Sequence, residues 1–139
     1  MVLFRAGGER FAVPLEAVRE VVVPQLPYAR VPRAGAAVRG AMNLRGRVVA
    51  VVEVAPLVGL TPDALAPSQG LVLVLDRDRR GLGLLVASVL GVEALSPQGD
   101  AEPGRLARGV ADVRGSPVTV LDPEVLEDRA AAQFGSASP

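Results

Sequence analysis

A chain that repeats itself can adopt only folds that suit both copies at once. A shift of 69 residues lays "RGAMNLRGRVVAVVE", from Arg39, over "RGVADVRGSPVTVLD", from Arg108. Arg39-Gly40 falls on Arg108-Gly109, Asn43 on Asp112, Leu44 on Val113 and Arg45-Gly46 on Arg114-Gly115. Val49, Val51, Val52 and Glu53 fall on Val118, Val120, Leu121 and Asp122. Upstream, a shift of 71 lays Phe11, Val13, Val18 and Val21 on Leu82, Leu84, Val89 and Val92. Two halves with the same strand order predict two similar small barrels. Each half holds about 70 residues, a size that buries only a marginal core by itself. The halves are therefore expected to pack on one another through a shared Val/Leu layer.

The local pattern agrees with an all-β reading. Met1 to Arg5 reads as a strand, "AGGER" as a turn, and the next strand ends at Pro14, which cannot donate to a ladder. "LEAVREVV" suits one helical turn or a strand, and its Val-rich end favours strand. "PQLPYARVPRAGA" and "LTPDALAPSQG" are Pro-rich connections. "VRGAMNLRGRVVAVVEV" reads as strand, turn, strand. "LVLVLDRDRRGLGLLVASVLGVEAL" reads as a hairpin around a charged tip, Asp76 to Gly81, with a further strand behind it. "GVADVRGSPVTVLDPEVL" reads as the last hairpin, and "AAAQFGSASP" as a frayed end. Val49 and Val51 alternate with Ala50, and Val118 and Val120 with Thr119, so each valine pair is expected to share one face. Many short strands between turn signals predict a barrel or sandwich, not a βαβ fold.

Composition narrows the chemistry. Half of the 139 residues are hydrophobic but only 3% are aromatic, so the core must be aliphatic. Fifteen basic and fifteen acidic residues cancel, which leaves no long-range field for nucleic acid or an anionic membrane. All the basic residues are Arg, and His and Cys are absent. Imidazole bases, thiolate nucleophiles, Schiff-base lysines and Cys or His metal ligands are thereby excluded. No cofactor motif is present. The apolar run "RVVAVVEVAPLVGL" is broken by Glu53 and Pro56, too short to span a bilayer. The N-terminus has Arg5 and no long apolar stretch, so neither a signal peptide nor membrane insertion is expected, and the expected location is cytoplasmic.

Three constellations are candidates for function. Asn43-Leu44-Arg45-Gly46 can be a plain turn, with the Asn side chain bonding backbone two residues on. It can also present the Arg45 guanidinium to a carboxylate or carbonyl on a partner. Glu16 and Glu20, four apart, would share a face if they stood on a helix, as solvated acids. Asp76 to Arg80 looks like a solvated hairpin tip.

"FAVPLEAVREVV", then Val31-Pro32, then "VRGAMNLRGRVVAVVEVAPLVGL" resemble the CheW family, the adapters of bacterial chemosensory arrays. "GLLVASVLGVEAL" and "ARGVADVRGSPVTVLDPEVL" are similar to later segments of that family, so the resemblance runs from Val2 to about Leu126. It implies two SH3-like five-stranded barrels over a common core, and a non-enzymatic coupler. The implied partners are the histidine kinase CheA, bound through its CheW-like regulatory domain, and the cytoplasmic hairpin tip of chemoreceptors. Matched by motif, the implied contact residues are Val18, Glu20 and Val21, then Val38, Gly40, Asn43, Leu44 and Arg45, then Leu71 or its neighbour Val72, and Val92. Two other readings stand beside it. One is an accessory CheW-like protein that binds only one of the two partners. The other is a small β-barrel ligand-binding domain or enzyme subunit, for which Asp, Glu, Ser and Tyr28 are the remaining reactive groups. The expected organisation is one domain over residues 1–126 made of two intertwined barrel subdomains, with the second repeat copy over about 71–126, and a flexible tail over 127–139.

Overall fold

The computed structural model describes residues 1–75, 81–99 and 102–134. The expected charged tip at Asp76 to Arg80 lies outside the described residues, as does the end of the chain from residue 135. The strands are β1 (Val2–Ala6), β2 (Glu9–Val13), β3 (Val18–Val22), β4 (Val38–Leu44), β5 (Arg47–Glu53), β6 (Leu71–Leu75), β7 (Leu82–Val86), β8 (Ser88–Val92), β9 (Ala107–Val113) and β10 (Ser116–Leu121). A 3-10 turn at Leu15–Ala17 precedes β3, so "LEAVREVV" is both a helical turn and a strand, in that order. Glu16 thus sits on the turn and Glu20 on the strand, and the two do not share a helix face.

Two five-stranded sheets result, in the orders β8-β1-β2-β10-β9 and β3-β6-β7-β5-β4. Each fits an SH3-like subdomain. Neither sheet is made from one half of the chain. Each half contributes a leading hairpin to one sheet and three trailing strands to the other, so the halves exchange hairpins. The two sheets are thus intertwined along the chain. The exchange has a physical logic, since no half then has to bury its own marginal core.

The repeat extends to individual contacts. Ala29 bridges Ala41, and Gln98 bridges Val110. Glu53 N donates to Ala37 O at 2.8 Å, and Asp122 N to Leu106 O at 2.7 Å. All four pairs are related by the same 69-residue shift read in the sequence. The core has three parts. Phe4, Val13, Val52, Leu73, Leu84 and Leu121 belong to a central layer drawn from both sheets. Val49 and Val51 pack with Met42, Leu44, Val72 and Val74 on the other face of one sheet. Val118 and Val120 pack with Leu3, Ala12 and Val113 in the second sheet. The alternation along β5 and β10 assigns these faces, as the sequence pattern requires.

The chain also departs from an all-strand reading at its end. "DPEVL" does not extend the last hairpin. It starts α2 (Pro123–Ala131), and the Asp122 carboxylate caps it by accepting from Glu124 N at 2.9 Å. Leu126 and Ala130 are buried against the central layer. A tail starting at 127 is therefore corrected: the helix runs through Ala131, and Phe134 pairs with Ala34. Pro123 at the first helical position and the capping Asp are the local signals for it. Glu53 stands where Asp122 does in the other copy, before the single turn α1 (Val54–Leu57). Its longer side chain makes no cap. It pairs with Arg39 and accepts from Asp63 N at 2.7 Å instead.

Gly40 shows how tightly the connection before β4 is laid down. A Cβ there would lie 2.7 Å from Tyr28 Cβ and 2.8 Å from Ala29 O, at a φ of 143°. Gly40→Ala should therefore push this segment off β4 and lower stability by about 1–3 kcal/mol. Thermal melting checks this, and an unchanged transition would show that the Tyr28–Ala29 segment yields freely.

Candidate functional site

The β4–β5 turn contains only Arg45 and Gly46, because Leu44 pairs with Arg47. Both have positive φ, 50° and 83°. This is the geometry of a tight hairpin turn whose twist matches the strands. Gly46 adopts it freely, whereas Arg45 does so at a steric cost of about 1–2 kcal/mol. Asn43 offsets part of that cost, its Oδ1 accepting from Gly46 N at 2.8 Å. The copy in β9–β10 is the same: Arg114 has φ 50°, and Asp112 Oδ1 accepts from Gly115 N at 2.8 Å. The turn reading of "NLRG" is thus correct in its backbone, and it also fixes where the arginine points.

Arg45 reaches Glu20 on β3 and forms an ion pair with it. β3 and β4 are the two edges of their sheet, so the pair links one edge to the turn that leaves the other. Arg114 pairs with Glu93, just past β8, at 2.7 Å. β8 and β9 are the edges of the second sheet, and the same clasp recurs there. Both arginines stay largely exposed while they do this.

The Glu20–Arg45 pair brings β3, which also carries Val18 and Val21, to the turn of Asn43 and Arg45, more than twenty residues away in sequence, while Val18 itself is partly buried against the central layer. Val21 is 40% exposed next to Glu20, so the cluster pairs an apolar side chain with charge. Leu44 is 7% exposed and Gly40 is buried. These two belong to the core and to the β4 packing, not to the surface. Val38 and Leu71 are half-buried against the central layer. Val72 is fully buried. Val92 lies apart, on the edge strand β8 of the other sheet, paired with Val2 and 59% exposed.

Two further features lie against the same sheet. A groove of about 260 Å³ is lined by Ala50 of β5, Leu82 of β7, and Ala131 and Phe134 beyond them, so it runs between a sheet and α2. Phe134 is the aromatic there, and the sequence reading missed it by placing it in a frayed tail. Near β4, burial raises the Tyr28 hydroxyl above its usual range, and the Arg39 guanidinium opposes this in part. Tyr28 therefore stays neutral, a packing residue. No group of acidic side chains among the described residues is arranged to hold a metal ion. No helix among them is long and apolar enough to cross a membrane.

The family model described as CheW-like domain matches residues 1–130. The chemotaxis protein CheW of Rhizobium meliloti (strain 1021) is 30% identical over 132 residues, which cover 88% of this chain and 83% of that protein. The probable chemotaxis protein CheW of Rhizobium etli is 26% identical over 134 residues, covering 91% and 85%. The crystal structure of scaffolding protein TtCheW from Thermoanaerobacter tengcongensis superposes with a TM-score of 0.70 at 18% identity, over 87% of this chain and 86% of that one. This last likeness is one of fold.

Proposed function

The chain belongs to the CheW-like domain family, and we propose that it is a non-enzymatic chemosensory adapter coupling chemoreceptors to the histidine kinase CheA. The kinase docks through its own CheW-like regulatory domain, and the receptor through its cytoplasmic hairpin tip. One observation carries this reading: folding gathers β3 and the Arg45 turn into one exposed cluster of apolar and charged groups. A rigid turn that holds a guanidinium beside an exposed valine suits an amphipathic helix, with apolar contact for affinity and charge for register. Val92, on the other sheet, offers a place for a second partner away from the first.

The test is a pull-down against the CheA regulatory domain and a receptor hairpin, scored separately. Binding to both supports the adapter. Binding to one alone identifies an accessory protein with a single partner. Binding to neither sinks both adapter readings.

Glu20→Arg probes the cluster directly. It removes the partner of Arg45 and sets two guanidiniums side by side on the surface. The stability loss should stay near about 1 kcal/mol, because exposed pairs contribute little. Binding of kinase or receptor should weaken clearly in the same protein. Unaltered binding to both would remove β3 from the interface.

A further inference from the structure

Arg5 on β1 and Arg10 on β2 stand directly opposite one another in the antiparallel ladder. Opposed positions share a face of the sheet, so the two guanidiniums are neighbours, and like charges so placed repel. Neither has a carboxylate partner among the described residues. Both line one open cavity of about 400 Å³, whose other wall is Pro117 and Thr119 of β10, with Val110 of β9 beside them. Glu9 is the acid on that wall, and it neighbours Arg10 in the chain. Arg10 also lines a second cavity that includes Glu93, but Glu93 is already engaged by Arg114. The repeat argues that the fold does not need this pair: the shift of 71 puts Asp76 and Gly81 at the corresponding sequence positions. Two unneutralised cations are thus held together at a cost, in a chain whose net charge, these two included, is zero.

We propose that this cavity on the β8-β1-β2-β10-β9 sheet docks an acidic segment of a protein partner, two of whose carboxylates bridge Arg5 and Arg10. Val110 is 46% exposed at the rim, so the segment that fits has an apolar side chain next to its acids. That apolar contact, together with the neutral chain, favours a protein segment over nucleic acid. The arginine fork binds carboxylates bidentately, and the bound acids relieve the repulsion between the two guanidiniums. The surface is distinct from the cluster around Arg45, and the proposal does not depend on the adapter reading.

The probe is a fluorescein-labelled peptide Glu-Glu-Val-Glu-Glu, followed by anisotropy at low salt with the full chain. Arg5→Ser combined with Arg10→Ser should weaken binding by about tenfold or more, as loss of charge-assisted contacts implies. Arg30→Ser combined with Arg33→Ser, which removes the same charge from the loop before β4, should leave binding as in the parent. The Arg5/Arg10 variant should melt at or above the parent, because a repulsion has been removed. No binding by the parent, or equal loss in both variants, would overturn the proposal. So would displacement of the peptide by an equal concentration of inorganic phosphate, which would mark a plain anion site. A lowered melting temperature in the Arg5/Arg10 variant would show that the pair serves the fold, and would also overturn it.

Discussion

Val51→Asp is expected to abolish the cooperative melting transition of this chain. Val51 has no exposed surface, and it packs among Met42, Leu44, Val72 and Val74. Its strand neighbours are Gly40 and Gly83, which offer no side-chain donor. Losing the buried valine removes about 1.5–3 kcal/mol. A buried, unpaired carboxylate adds roughly 3–5 kcal/mol. Together these rival the whole stability of a small domain, about 5–15 kcal/mol. Val48, three residues earlier on the same strand, is 71% exposed, and Val48→Asp should stay within about 0.5 kcal/mol of the parent. Far-UV circular dichroism on heating separates the two. Similar melts for both would mean that the assignment of the β5 faces is wrong.

Arg45→Ala is expected to fold normally and to lose partner binding by roughly ten- to a hundredfold, the effect of one charge-assisted contact of about 1.5–3 kcal/mol. The fold should survive for two reasons. The Arg45–Glu20 pair is exposed, so it contributes little to stability. Alanine at φ 50° carries much the same backbone strain as arginine. The second half supplies the control, since Arg114 has the same φ, the same turn and its own acid in Glu93. If the arginine serves only to clasp sheet edges, both alanine variants should behave alike. The adapter reading requires Arg114→Ala to bind as the parent does. Affinity for the CheA regulatory domain and the receptor hairpin, with melts of both variants, decides between them. Equal loss in both, or a collapsed Arg45→Ala, would make the arginine a structural feature of the repeat.

The repeat makes much of this legible in the sequence. Alternating valines in β5 and β10 predicted which faces are buried, and the paired "RG" motifs predicted equivalent turns. Which strands are exchanged was not legible, because a repeat reports the order of strands and not which copy each strand pairs with. α2 was hidden by its length: Asp122 and Pro123 signal a start, but Leu126 and Ala130 are too few to show a helical period against the alanines around them. The site was legible only in part. The resemblance picked Glu20 and Arg45 as separate contacts, and their pairing needed the sheet to curl one edge toward the other. Leu44 and Gly40 sit in the same motif but act from inside, which a motif match cannot distinguish from surface contact.

Coupling itself is the claim at stake, and one reconstitution tests it most directly: CheA autophosphorylation measured with receptor-bearing membranes, in the presence and absence of this chain. The account predicts that kinase output responds to the receptor only when the chain is present, and that Arg45→Ala abolishes the response while Arg114→Ala preserves it. Kinase output that ignores the chain, with the protein folded and both partners active, would contradict the account.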